Sequence, residues 1–341
     1  MSANSANTGS WLSAHGKLWY DDRWYRIAWI IWPQAVGMLL FVSLWLFHPA
    51  GQGGQGFLPW ARPMVETRKY PPAPVKEPVA PPLAEQPVDV LAPCTSGDFA
   101  QNIQACTTLL ASGTLRGSNL AYAYYHRGWA YYSTKQYQPA MNDYDRAIAN
   151  ASGVPDFYNE RGILWMDVGN NERAMQDFDQ AILLKSDYAL GYLNRGVALR
   201  NLKRPNEALV ALATAIERDP KLTLAYENRA FLNEDRSNWR AVYDDALKVI
   251  ELAPDDRMGY ELRGHAYLEV GQYQAAITDF TKAISIDPNA IYDYRMRGRA
   301  YHFLNQFDNA MADFEAALRI DARDSETISF INDLRRRQRD R

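Results

Sequence analysis

The sequence predicts an all-α solenoid of six helix-turn-helix repeats of 34 residues, preceded by one transmembrane helix and a Pro/Gly-rich linker. Two observations carry this. Six arginines, Arg127, Arg161, Arg195, Arg229, Arg263 and Arg297, follow one another at intervals of 34 residues. Upstream, Ile27 through Phe47 form a run of 21 residues without a charge.

The same frame surrounds each arginine. Glycine follows directly at Gly128, Gly162, Gly196, Gly264 and Gly298, with Ala230 in the fourth copy. A tyrosine precedes each arginine by three residues (Tyr124, Tyr158, Tyr192, Tyr226, Tyr260, Tyr294). Small residues stand at Ala140, Ala174, Ala208, Val242, Ala276 and Ala310, and larger ones at Tyr144, Phe178, Leu212, Phe280 and Phe314, where the fourth copy has Ala246. Ala147, Ala181, Ala215, Val249, Ala283 and Ala317 close the unit, and Pro220, Pro254 and Pro288 follow in three copies. Small residues at helical spacing let two antiparallel helices approach, aromatics fill the gaps between units, and proline stops the second helix. The fourth copy, which departs at four landmarks, is expected to be locally softer.

This frame resembles the tetratricopeptide repeat, in six copies over 121–154, 155–188, 189–222, 223–256, 257–290 and 291–324. The resemblance implies a right-handed superhelix. The arginine departs from the leucine often found at its position in the family. Each arginine is followed sixteen residues later by Asp143, Asp177, Asp245, Asp279 or Asp313, and by Ala211 in the third copy. On antiparallel helices this spacing predicts a partly buried bridge within each unit or to the next, which helps to fix register.

A net charge of −3 gives no basic stripe for nucleic acid. The one basic cluster, Arg335, Arg336, Arg337, Arg339 and Arg341, reads as a solvated tail on a C-terminal capping helix (325–341) with Ile328, Ile331 and Leu334 on one face. The five histidines form no zinc-ligand pair, and no phosphate loop, nucleophile elbow or dinucleotide fingerprint is present. The sequence therefore reads as non-catalytic, with no metal and no cofactor.

The uncharged run would span roughly 30 Å of hydrocarbon. Trp24, Tyr25, Trp29 and Trp32 at one end and Trp45 and Phe47 at the other match two interfacial aromatic belts. Its length and the absence of a small-x-small site after His48 favour an uncleaved signal anchor. Lys17, Arg23 and Arg26 place the tail, 1–26, in the cytoplasm and the repeats across the membrane. The linker, 48–93, starts Gly-rich and stiffens through Pro71, Pro72, Pro74, Pro78, Pro81, Pro82 and Pro87, with a reach approaching roughly 100 Å.

Cys94 and Cys106 are the only cysteines. In an oxidising compartment a lone pair this close is expected to form a disulfide, provided that residues 94–97 fold back along a helix over 98–110. The bridge would staple an N-terminal half-repeat cap (94–120). The cysteines and the arginine-glycine copies are also similar to tetratricopeptide proteins exported by Gram-negative bacteria, which implies an inner-membrane protein with periplasmic repeats.

The resemblance further implies that the first helix of each repeat lines a concave groove. Carried over position by position, the groove presents Tyr122, Tyr125, Trp129 and Tyr132, then Asp156, Asn159, Ile163 and Met166, then Leu190, Leu193, Val197 and Arg200. It turns acidic with Glu227, Glu234, Glu261 and Glu269 around Phe231 and His265, and basic with Arg295, Arg299 and His302. The aromatic end is either an exposed anchor for a partner or core covered by the cap segment 95–116. The clamp with which co-chaperones hold carboxylate tails is absent, since Tyr125 and Trp129 occupy its first-repeat positions. The expectation is a membrane-tethered scaffold holding a protein or peptide segment, in envelope assembly, secretion or polysaccharide machinery. The alternative is an accessory subunit of a cell-wall or surface-glycan enzyme, with direct glycan contact.

Overall fold

The computed structural model describes residues 90–95 and 97–339. Among these are fourteen α-helices, a short 3-10 turn at Ala92–Cys94 and no strand. Helix α1 (Phe99–Ala111) stands alone and is followed by six hairpins: α2 (Gly117–Ser133) with α3 (Tyr137–Asn150), α4 (Pro155–Asp167) with α5 (Asn171–Leu184), and α6 (Ala189–Asn201) with α7 (Pro205–Arg218). The row continues with α8 (Thr223–Glu234) and α9 (Trp239–Leu252), α10 (Arg257–Glu269) and α11 (Tyr273–Ile286), and α12 (Ile291–Phe303) and α13 (Phe307–Ile320). Helix α14 (Ser325–Arg339) closes it. The expected tail, span and most of the linker lie outside the described residues. Among the described residues no helix is long and apolar enough to cross a membrane.

The landmarks explain the hairpins. Ala140, Ala174, Ala208, Ala276 and Ala310 are fully buried, as are Tyr144, Phe178, Leu212, Phe280 and Phe314. Glycine is needed at Gly162 because a Cβ there would meet the Phe178 ring at 2.6 Å. The fourth copy solves the same contact differently: Ala230 replaces glycine, Ala246 replaces the ring, and both are fully buried in one apolar cluster with Val242 and Tyr267. The departures in this copy therefore compensate one another. The tyrosines three residues before the arginines do less gap filling than expected. Tyr124, Tyr158, Tyr260 and Tyr294 are only half-buried, and Arg127, Arg161, Arg263 and Arg297 lie over their rings at 5.7–5.9 Å.

Each first helix stops at the same place in the repeat. Lys135, Gly169, Lys203, Ser237, Gly271 and Asn305 all adopt left-handed φ between 55° and 83°. The following amide bonds back across the turn, as from Gln136 to the Tyr131 carbonyl at 2.8 Å, and each of the other five copies repeats the bond at 2.8–2.9 Å. Proline opens α4 and α7, where its missing N–H costs nothing.

At the N-terminal end, Asp98 and Gln101 form a capping box on α1. Cys94 and Cys106 are joined in a disulfide with their α-carbons 4.9 Å apart. The chain before α1 folds back onto it, helped by the buried Asn102, whose side-chain oxygen accepts from the Gly97 amide at 3.0 Å. Ordered packing begins inside the expected linker, because Leu91 is buried against Leu115 and Ala123. Helix α2 likewise begins inside the expected cap, before residue 121. At the other end Ile331 and Leu334 are buried as expected, but Ile328 is exposed. The covering face of α14 is instead Thr327, Phe330, Ile331 and Leu334, with Phe330 stacked on Phe314 at 5.4 Å.

Candidate binding groove

Consecutive first helices (α2, α4, α6, α8, α10, α12) pack on one another along the whole row. Their shared face is where the sequence-derived residues fall.

At the aromatic end one ring is buried and three are half-buried. Tyr125 is 3% exposed, with Phe157 of the next repeat at 5.0 Å and Tyr122 at 6.2 Å. Trp129 is covered by Phe99 of α1, edge-on at 5.2 Å, and Tyr122 packs with Leu91 and Leu115. The cap thus covers Trp129 and Tyr122, while the neighbouring repeat covers Tyr125. The Tyr132 hydroxyl donates to the exposed Asp167 at 2.6 Å. Of the four rings, Tyr125 is therefore core, while Tyr122, Trp129 and Tyr132 stay half-buried.

In the second and third repeats, Asn159 is buried and sits at the centre of a hydrogen-bonded set. Its Nδ2 donates to Glu160 at 3.1 Å, and its Oδ1 accepts from Asn194 at 2.8 Å. The Tyr188 hydroxyl donates to Asp156 at 2.5 Å. Glu160 is 7% exposed. Burial pushes its carboxyl up to about 7, the Asn159 bond resists this, and Asp156 adds to it. Asp156, Glu160 and Asp167 have no lysine, arginine or histidine in ion-pair range among the described residues. Leu193 lies in the apolar core of the third repeat with the half-buried Val197 packed against it, whereas the half-buried Ile163 and Met166 pack on Ala174, Phe178 and Ala198.

The acidic and basic stretches of the second half neutralise each other. Arg257 pairs with Glu261 and with Asp293, the latter at 3.1 Å. His265 Nδ1 meets Glu234 at 2.8 Å and its Nε2 lies 3.6 Å from Glu269, which Arg299 also approaches at 3.4 Å. Burial disfavours the imidazolium, but Glu234 and Glu269 outweigh it and raise His265 to about 9. Arg295 pairs with Asp324 at 3.1 Å and with Glu326. Glu227 and Phe231 are buried. The basic end expected from Arg295 and Arg299 is therefore spent on internal carboxylates. In the second repeat, by contrast, Asp156, Glu160 and Asp167 are held by neutral donors.

Reading the sequence by repeat position missed Glu160, Tyr188, Asn194 and Arg257. Glu160, Tyr188 and Asn194 lie one or two places from a residue assigned to the groove, and Arg257 lies one helical turn before Glu261. Among the described residues no group of three or more His, Cys, Asp or Glu is arranged to hold a metal ion.

Family patterns for the tetratricopeptide repeat match residues 121–152, 159–222, 259–290 and 294–324. The stretch between the second and third matches is the copy carrying Ala230 and Ala246. Comparison with curated proteins gives no match. Among solved structures, a tetratricopeptide repeat protein from Parabacteroides merdae is 19% identical with a TM-score of 0.53, over 70% of this chain and 93% of that one. PilW, a type IV pilus biogenesis factor, is 18% identical with a TM-score of 0.56, over 62% of this chain and 98% of that one. A chain of the APC/C assembly Cut9-Hcn1 is 13% identical with a TM-score of 0.59, over 72% of this chain and 48% of that one. At these identities the likeness is one of fold.

Proposed function

We propose, from the premise that this chain is a tetratricopeptide repeat protein and hence a protein–protein interaction scaffold, that it is non-catalytic and holds an extended partner segment along its first-helix face. The observation that carries this is the polar set of the second and third repeats, held without a cation: Asp156, Asn159, Glu160 and Asn194 share two consecutive first helices with the half-buried Ile163, Met166 and Val197. Apolar contacts supply area, and fixed polar groups supply register.

The uncharged run at 27–47 supports anchoring in a bacterial inner membrane, and the Cys94–Cys106 disulfide supports an oxidising, periplasmic location for the repeats. The scaffold then confines its partner to the membrane in envelope assembly, secretion or polysaccharide machinery. Direct glycan contact draws no support from the rings, since Trp129 is covered by Phe99 and Tyr125 by Phe157.

The test is site-specific photo-crosslinking in native membranes from Met166, with the exposed Glu217 of α7 as the control position. One dominant protein captured from 166 and not from 217 is the expected result. Equal capture from both positions would sink the reading.

A further inference from the structure

We infer that the acid–tyrosine face of the second repeat is a receptor site for a cationic side chain, lysine or arginine, on the segment that the scaffold binds; this rests on the groove reading above and specifies its chemistry. The argument begins with how carboxylates are satisfied along the inner row. In the fifth and sixth repeats Glu261, Asp293, Glu269 and Asp324 have arginine partners, and Glu234 of the fourth has a histidine. In the second repeat the donors are neutral: Tyr188 to Asp156, Asn159 to Glu160, Tyr132 to Asp167. Neutral donors fill lone pairs but leave the charge, and at Glu160, the buried one of the three, an uncompensated charge is expensive to keep.

A second, independent observation points the same way. The Tyr144 hydroxyl is on a fully buried residue and has no hydrogen-bond partner. Among its charged and ionisable neighbours, Glu160 acts on it most strongly. The hydroxyl oxygen can accept as well as donate, so together with Glu160 it offers two acceptor oxygens to one incoming donor group. A lysine or arginine brings several N–H donors and one positive charge on a long apolar stem, so one side chain meets both deficits. The surrounding tyrosine rings favour a cation as well. A carboxylate-bearing partner, by contrast, would be repelled.

The occupant is a segment of another protein, bound extended, with its basic side chain directed at Glu160. The probe is a fluorescently labelled alanine–proline peptide with one central lysine, compared with the same peptide carrying norleucine. Anisotropy is read on the full-length chain in detergent at low ionic strength and at about pH 8, where the site carboxylates are charged. The lysine peptide should bind at least about tenfold tighter, and the preference should vanish in Glu160→Gln and fall in Asp156→Asn. It should persist in Glu315→Gln, an exposed acid on α13. Equal binding of the two peptides, binding of neither, or a preference surviving both site variants overturns the proposal. If Met166 still captures a single partner in that case, the groove reading stands and only its cationic chemistry falls. A crosslink from Met166 to this chain's own Arg68 or Lys69 would make the occupant intramolecular and would also overturn it.

Discussion

The Arg161 guanidinium grips the Asp177 carboxylate fork to fork, Nε to Oδ2 at 2.9 Å and Nη2 to Oδ1 at 2.7 Å, while its remaining Nη1 reaches Asp145 of the preceding repeat at 2.7 Å. One side chain therefore closes its own hairpin and ties it to the one before. Arg127, Arg229, Arg263 and Arg297 repeat the fork on Asp143, Asp245, Asp279 and Asp313. Arg195, facing Ala211, turns back instead to Asp179 at 2.6 Å. Burial raises the carboxyls of Asp245 and Asp279 in spite of their arginines, so the pairs fix register at a desolvation cost.

Arg161→Leu should therefore lower stability by about 3 kcal/mol, because it strands the buried Asp177. Arg195→Leu should cost under about 1 kcal/mol, since its partner is half exposed. Urea unfolding of the two variants checks this. Equal losses would mean that the fork to the hairpin's own aspartate adds nothing.

Close helix approach makes a second contrast. Gly162→Ala drives a methyl into Phe178 and should destabilise by about 1–3 kcal/mol despite alanine's better helix propensity. Gly153→Ala, with nothing within 4 Å of the added methyl, should stay within about 0.5 kcal/mol of the parent. Thermal midpoints measured side by side decide it.

The hairpin cores were legible because the frame repeats: six coincident copies identify Ala140 with Ala174 and Tyr144 with Phe178 more firmly than any single propensity. The turns were not. Gly169 and Gly271 advertise a left-handed stop, but Lys135, Lys203, Ser237 and Asn305 adopt it because the repeat closes around them. The groove was read only in outline. Position in the repeat names Asn159 and His265, but it could not tell a lining residue from one wedged between two first helices, which is the fate of Tyr125 against Phe157. The expected acidic-to-basic gradient failed for a related reason: a formal charge in sequence says nothing of its partner, and Arg257 and Asp324 supply partners from neighbouring turns.

The cap offers a local test. Replacing both Cys94 and Cys106 with serine removes a short-loop crosslink worth roughly 3 kcal/mol. Since each repeat interacts only with its neighbours, the loss should stay local. Amide exchange should speed up in 91–111 and at the Phe99–Trp129 contact, and leave α10 to α13 unchanged. Faster exchange throughout would show that the cap nucleates the whole row.

Two buried groups of the first hairpins set opposing pH dependences. Burial holds His126 down at about 4 from an ordinary 6.5, so between those values the unfolded chain binds a proton that the folded one refuses, and stability rises with pH. Glu160 is held up at about 7 from 4.5, so between those values the folded chain keeps a proton that the unfolded one has lost, and stability falls with pH. Each window spans about 2.5 pH units, worth on the order of 3 kcal/mol. Over their overlap the two slopes nearly cancel, and the wild-type profile should be almost flat between about pH 4.5 and 6.5 as far as this pair is concerned. Glu160→Gln removes the falling limb and should leave stability climbing with pH across that window; His126→Asn should leave it declining toward pH 7. Differences between each variant and the wild type, taken from urea midpoints at both ends of the window, isolate these two groups from the other carboxylates. Parallel profiles for all three chains would mean that neither group changes its proton affinity on folding.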